Sequence, residues 1–185
     1  MKVSAQDINF NAKRGRVLIK MMLATAYFCN MQKLNIGMEE AWRKIKHYCA
    51  YQERNHRETK EKLYSFGLYK AEVEQLLSQL VEENYLNEER FVIAYAGGHF
   101  RMKQWGKSKI KYELRQKGIG EYLIKKALNS IDDKEYSATF QKLAIAKLAL
   151  LKGEKNIFIK KKKVQQYLFQ KGFEHDMIAG FVNNI

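Results

Sequence analysis

Gly106, Lys107 and Ser108 have the form of the end of a phosphate-binding loop, in which successive backbone N–H groups and a lysine would hold a phosphate. That loop needs a further glycine five places before Gly106. Arg101 stands there, and no strand pattern leads into it. Gly106 is instead read as the end of one helix, with Lys107 and Lys109 at the start of the next. The four histidines, His47, His56, His99 and His175, are scattered, and none has a Cys, Asp or Glu companion at metal-ligand spacing. Cys49 and His56 could share a helix face, but they find no third ligand. The acidic pairs Glu88–Glu89 and Asp132–Asp133 lie where helices should begin, so capping explains them better than acid–base chemistry. No nucleophile motif is present. The expectation is a protein without catalytic site, cofactor or metal.

What remains is positive charge. The chain of 185 residues has 34 Lys and Arg against 20 Asp and Glu, a net charge of +14, which suits an anionic partner such as nucleic acid or an acidic protein surface. The charge is densest between Arg101 and Lys126. The candidate partner-binding residues are Arg101, Lys103, Lys107, Lys109, Lys111, Arg115 and Lys117. Lys107, Lys111 and Arg115 recur every four residues and so share one helical face, with Ile110 and Leu114 on the other side and Trp105 and Tyr112 near by. A second cluster, Lys160 to Lys163, follows Lys152, Gly153, Lys155 and Asn156 and reads as a mobile, solvated loop.

The elements that would carry this face repeat along the chain. Segments 62–80, 113–131 and 167–185 align without gaps. Leu63, Leu114 and Leu168 precede Gly67, Gly118 and Gly172 by four places, and Leu68, Ile119 and Phe173 follow those glycines directly. Apolar residues then recur at helical spacing: Val73, Leu77 and Leu80; Ile124, Leu128 and Ile131; Ile178, Val182 and Ile185. Each glycine suits a left-handed position between two helices, with the next apolar residue folding back onto the first. A further amphipathic helix precedes each pair, over 39–54, 88–103 and 135–151. The second of these is expected to bury Phe91, Ala94, Tyr95 and Met102. There is no proline to interrupt them.

The fold class is therefore all-α, a tandem array of three three-helix repeats forming a curved, elongated molecule. The domains are an N-terminal extension over 1–37, either disordered or partly helical, and repeats over 38–86, 87–132 and 133–185. The third carries a Lys-rich insertion at about 152–163. The basic residues Lys13, Arg14 and Arg16 before the run 17–29 imitate a signal peptide, but Lys20 interrupts the run and no cleavage site follows. Cys29 and Cys49 fit no disulfide framework, and no segment is long and apolar enough to span a membrane. The expected setting is cytoplasmic, as a monomer.

Two stretches carry a resemblance to a known family. One runs from Asn84 through Glu88, Glu89, Arg90 and Phe91. The other runs over 101–119 with Gly106, Lys107, Ile110, Glu113, Leu114, Lys117, Gly118 and Ile119. Together they resemble the middle repeat of the RecX family of recombinase regulators, and 60–67 resembles its first repeat. The likeness covers about 38–185 and is looser in the third repeat. It implies a protein that binds the RecA filament on single-stranded DNA and restrains its ATPase, recombinase and coprotease activities, with single- or double-stranded DNA as a further contact. A direct nucleic-acid-binding helical protein acting without RecA is the competing reading, and a scaffold for another partner is a third.

Overall fold

A computed structural model describes residues 35–185; most of the N-terminal extension, Cys29 and the signal-like run lie outside the described residues. The described residues form nine helices and no strand: α1 Met38–Tyr51, α2 His56–Ser65, α3 Lys70–Glu82, α4 Glu88–Lys103, α5 Lys107–Gln116, α6 Glu121–Asn129, α7 Asp133–Leu150, α8 Ile157–Lys171 and α9 His175–Asn183.

Side-chain caps start several of them. Asn55 accepts the Glu58 N–H at 2.6 Å, Asn87 that of Arg90 at 3.0 Å, and Asp132 that of Glu135 at 2.8 Å. Each satisfies one of the backbone donors a helix leaves open at its start. The acidic pairs Glu88–Glu89 and Asp132–Asp133 thus stand at helix entries, as their position in the sequence leads one to expect. Gly67, Gly118 and Gly172 have φ of 81°, 79° and 89°, the left-handed region where a side chain is strained. Ile119 N–H reaches back to Leu114 O at 3.1 Å and Phe173 N–H to Leu168 O at 3.2 Å, closing two of the three turns. Leu63, Leu114 and Leu168 are fully buried beneath them.

Three expectations need correction. Gln104, at φ 54°, takes the left-handed position that ends α4, and Gly106 instead begins α5. On α4 the buried residues are Phe91, Val92, Ala96 and Phe100, while Ala94 and Met102 are exposed. Apolar residues surround that helix on every side, so spacing alone could not select its inner face. The lysines 160–163 belong to a helix rather than a loop: Asn156 caps α8, and Val164 and Leu168 anchor it in the core.

The buried side chains form two clusters. One joins α1, α2 and α3, from Ala41 to Leu86. The other runs without a break through α4 to α9, from Phe91 to Ile178.

Candidate partner-binding face

The N-terminus of α5 is fixed by the C-terminus of α8. Gly106 N–H donates to Lys171 O at 2.8 Å and Ser108 N–H to Gly172 O at 3.1 Å. The negative end of one helix dipole thereby satisfies open donors at the positive end of another. The approach is close because both contact points are glycines: a Cβ on Gly106 would lie 2.1 Å from Gly172 O, and one on Gly172 would lie 2.2 Å from Lys109 Cβ. The donors that a phosphate-binding loop would offer to a ligand are spent on the protein itself. Beside them, the Tyr136 hydroxyl accepts the Lys107 N–H at 2.9 Å and donates to a Glu174 carboxylate oxygen at 2.7 Å. Burial, then the Glu174 hydrogen bond, holds that hydroxyl protonated far above its ordinary range.

The basic residues divide into two groups on this frame. Lys107 Nζ lies 2.7 Å from Asp133 Oδ1 and 4.8 Å from the Tyr136 ring centroid. Lys111 lies 3.6 Å from Glu121, and the Arg115 guanidinium is paired with the same carboxylate. The two cations depress the Glu121 carboxyl, Arg115 most strongly. So the row read from four-residue spacing exists, but each member faces a carboxylate. Lys117 likewise pairs with Glu58 of α2 at 2.7 Å.

The second group gathers on Trp105. Lys103 Nζ sits 4.9 Å and Lys109 Nζ 4.7 Å from the indole centroid, a favourable position for a cation over an aromatic face. Lys109 also donates to Gln170 O at 3.3 Å, and Lys171 to Lys103 O at 3.2 Å. None of the three has a carboxylate partner among the described residues. Arg101 is exposed on the same end of α4.

Sequence reasoning missed the aromatic ladder that continues from Trp105. His99 lies 4.6 Å from it and stacks on Tyr95 at 3.9 Å, and Tyr95 lies 5.7 Å from Phe91, all between ring centroids. Phe91, Tyr95, His99 and Lys103 recur every four residues, a signal visible in the sequence but absorbed there into the core face. His99 Nδ1 is 2.9 Å from Tyr95 O, and burial, with Lys103 and Lys117 near by, pushes its pKa below the ordinary value. The ladder forms one wall of a cleft of about 400 Å³, whose other side is Gln52 and Glu53 of the α1–α2 loop. Among the described residues no group of three His, Cys, Asp or Glu is placed to hold a metal, and no helix is long and apolar enough to cross a membrane.

Two family models match consecutive parts of this frame: "RecX, second three-helix domain" over 87–128 and "RecX, third three-helix domain" over 133–182. The regulatory protein RecX of Prosthecochloris aestuarii is 30% identical over 131 residues, covering 71% of this chain and 83% of that one. The chain belongs to the RecX family. RecX is a family of regulatory proteins rather than of enzymes. The RecX protein of Bacillus licheniformis is 27% identical over 176 residues, covering 93% of this chain. The chain spans 63% of that relative's length. The fold is that of the solved RecX structure from Lactobacillus salivarius, with a TM-score of 0.70 at 24% identity over 80% of this chain and 95% of that one.

Proposed function

We propose that this RecX protein binds the RecA filament on single-stranded DNA and restrains its ATPase, recombinase and coprotease activities. In this reading it acts in the cytoplasm as a monomer, through repeats over 38–86, 87–132 and 133–185. The observation that carries the choice of surface is Lys103 and Lys109 over Trp105, with Lys171 bonded beside them to Lys103 O, cations with no carboxylate partner among the described residues. They remain available to an acidic groove, whereas Lys107, Lys111 and Arg115 are already engaged. An array of small helical units supports the reading because it can place several weak contacts along a filament, and linked contacts multiply.

The test is a titration of RecA's DNA-dependent ATPase at substoichiometric ratios, in salt where binding to bare DNA is negligible. Inhibition there, weakened by Lys103→Glu with Lys109→Glu at unchanged helicity, is the expected result. Inhibition that follows occupancy of naked DNA and vanishes with salt would favour a nucleic-acid-binding protein acting without RecA. Unchanged inhibition by the double variant would remove the Trp105 group from the surface.

A further inference from the structure

The third repeat is longer than the others at one end. Its first two helices have 18 and 15 residues, against 14 and 10 in α1 and α2 and 16 and 10 in α4 and α5. Most of the extra length lies outside the core. Ala144 is the last buried residue of α7 and Val164 the first of α8, and none of residues 145–163 between them is buried. Leu148 and Leu151 still pack against the core, and beyond them the hairpin of α7 and α8 ends in an arm, 152–163, that adds nothing to it.

The chemistry of that arm is unusual for a solvated tip. Residues 152–163 contain six lysines, Lys152, Lys155 and Lys160 to Lys163, against one acid, Glu154, which pairs with Lys163 at 2.8 Å. Among them stand Ile157, Phe158 and Ile159, and Phe158 is 80% exposed. With Ile157 and Ile159 also exposed beside it, the ring belongs to a contiguous apolar group at the tip rather than to one isolated side chain. At about 100° per residue, the three apolar side chains that open α8 and the four lysines after them point in interleaved directions around the helix. A helix lying in a membrane surface needs the opposite, an apolar side segregated from a cationic one. Interleaved rings and cations suit a flexible polyanion that offers phosphates and flat bases together.

We propose that the tip of the α7–α8 hairpin is a contact for an unpaired nucleic-acid strand, with the lysines holding backbone phosphates and the Phe158 ring stacking on a base. The contact is distinct from the Trp105 surface and does not depend on RecA.

The experiment is fluorescence anisotropy of a labelled oligothymidylate titrated with the full chain, without RecA. Phe158→Ala should weaken binding by roughly tenfold, the scale of one base–aromatic stack, and Phe158→Trp should restore it. Lys160, Lys161 and Lys162 changed together to Gln should flatten the dependence of log affinity on log salt by about two units, from three phosphates at roughly 0.7 each. None of these residues is buried, so circular dichroism should be unchanged. Unaltered binding by both variants overturns the proposal. So does an arm-dependent affinity for phosphatidylglycerol vesicles or polyglutamate that equals or exceeds the one for the oligonucleotide. Failure of the wild-type chain to inhibit RecA, with arm-dependent oligonucleotide binding intact, would overturn the RecA reading and leave this contact standing.

Discussion

Replacing Gly106 by Ala tests the docking of α5 on α8 directly. Its new Cβ would fall 2.1 Å from Gly172 O and 2.4 Å from Phe173 N, both backbone atoms that cannot rotate away. The two helix ends must separate, and the Gly106→Lys171 and Ser108→Gly172 hydrogen bonds go with them. A buried donor left open costs about 1–3 kcal/mol; Gly106 is buried, whereas Ser108 is exposed and its N–H can turn to water, so the loss amounts to roughly 1–3 kcal/mol. For a protein of this size that is a fall in Tm of roughly 2–12 °C, a sizeable share of a typical stability of about 5–15 kcal/mol. Gly120 supplies a matched control. It is also a helix N-cap, with φ −69° and ψ 148° against −74° and 160° at Gly106, yet its Cβ would meet nothing within 4 Å. Gly120→Ala carries only the capping difference, at most about 1 kcal/mol. Gly118 and Gly172 form a second pair: both are left-handed, so both should lose roughly 1–2 kcal/mol on change to Ala. Gly172→Ala should lose more, because Lys109 Cβ stands 2.2 Å away. Urea denaturation followed by circular dichroism measures all four. Equal losses at Gly106 and Gly120, within about 0.5 kcal/mol, would refute the docking argument.

Two further outcomes concern the charged face and the ladder. Glu121→Gln removes the carboxylate shared by Lys111 and Arg115 and should strengthen binding to the RecA filament in a pull-down at low salt; no change would mean that the row serves only the fold. His99 should titrate by NMR below the ordinary histidine value of about 6.5, and because its folded pKa is lowered, the unfolded chain binds the proton first. Stability should therefore fall as pH drops below about 6.5, and His99→Gln should reduce that dependence; an NMR midpoint at or above 6.5 would contradict the lowered pKa.

The parts of the fold that were legible in the sequence are those decided within one turn of chain. A leucine four places before a glycine, with an apolar residue after it, requires only local geometry, and Gly118 and Gly172 behave as that geometry dictates. The acidic pairs Glu88–Glu89 and Asp132–Asp133 were readable as helix starts for the same reason. What could not be read depends on partners far along the chain. Gly106 begins a helix because α8 ends against it, 65 or more residues later. Lys107 and Lys111 were correctly placed on one face, but Asp133 and Glu121 that neutralise them arrive from other helices. The lysines 160–163 look like a loop because four charges in a row have no period, and Val164 and Leu168 are what draw them into a helix.

The division of the core has a consequence for how the molecule opens. The α1–α3 cluster has 10 buried residues and no buried aromatic ring, whereas the α4–α9 cluster has 18, among them Phe91, Phe100, Phe140 and Phe173. The ties between the two are polar: Arg90 to Glu53 at 2.6 Å, Lys117 to Glu58 at 2.7 Å, His56 to Glu88 at 3.2 Å, and Arg57 to Gln116 O at 3.5 Å. Partly exposed pairs of this kind contribute about 0–1 kcal/mol each, so the coupling amounts to a few kcal/mol at most. Residues 38–86 should then open as a unit before the rest of the chain, and native-state hydrogen exchange should report two levels of protection. Buried amides such as Leu63 and Leu80 would exchange at the lower one, and Leu114 and Ile178 at the higher. Raising salt to about 1 M shortens the screening length to roughly 3 Å and should lower the coupling between the two clusters. One common exchange free energy for both clusters, indifferent to salt, would show that the polar ties hold the two as firmly as the shared core holds α4 to α9.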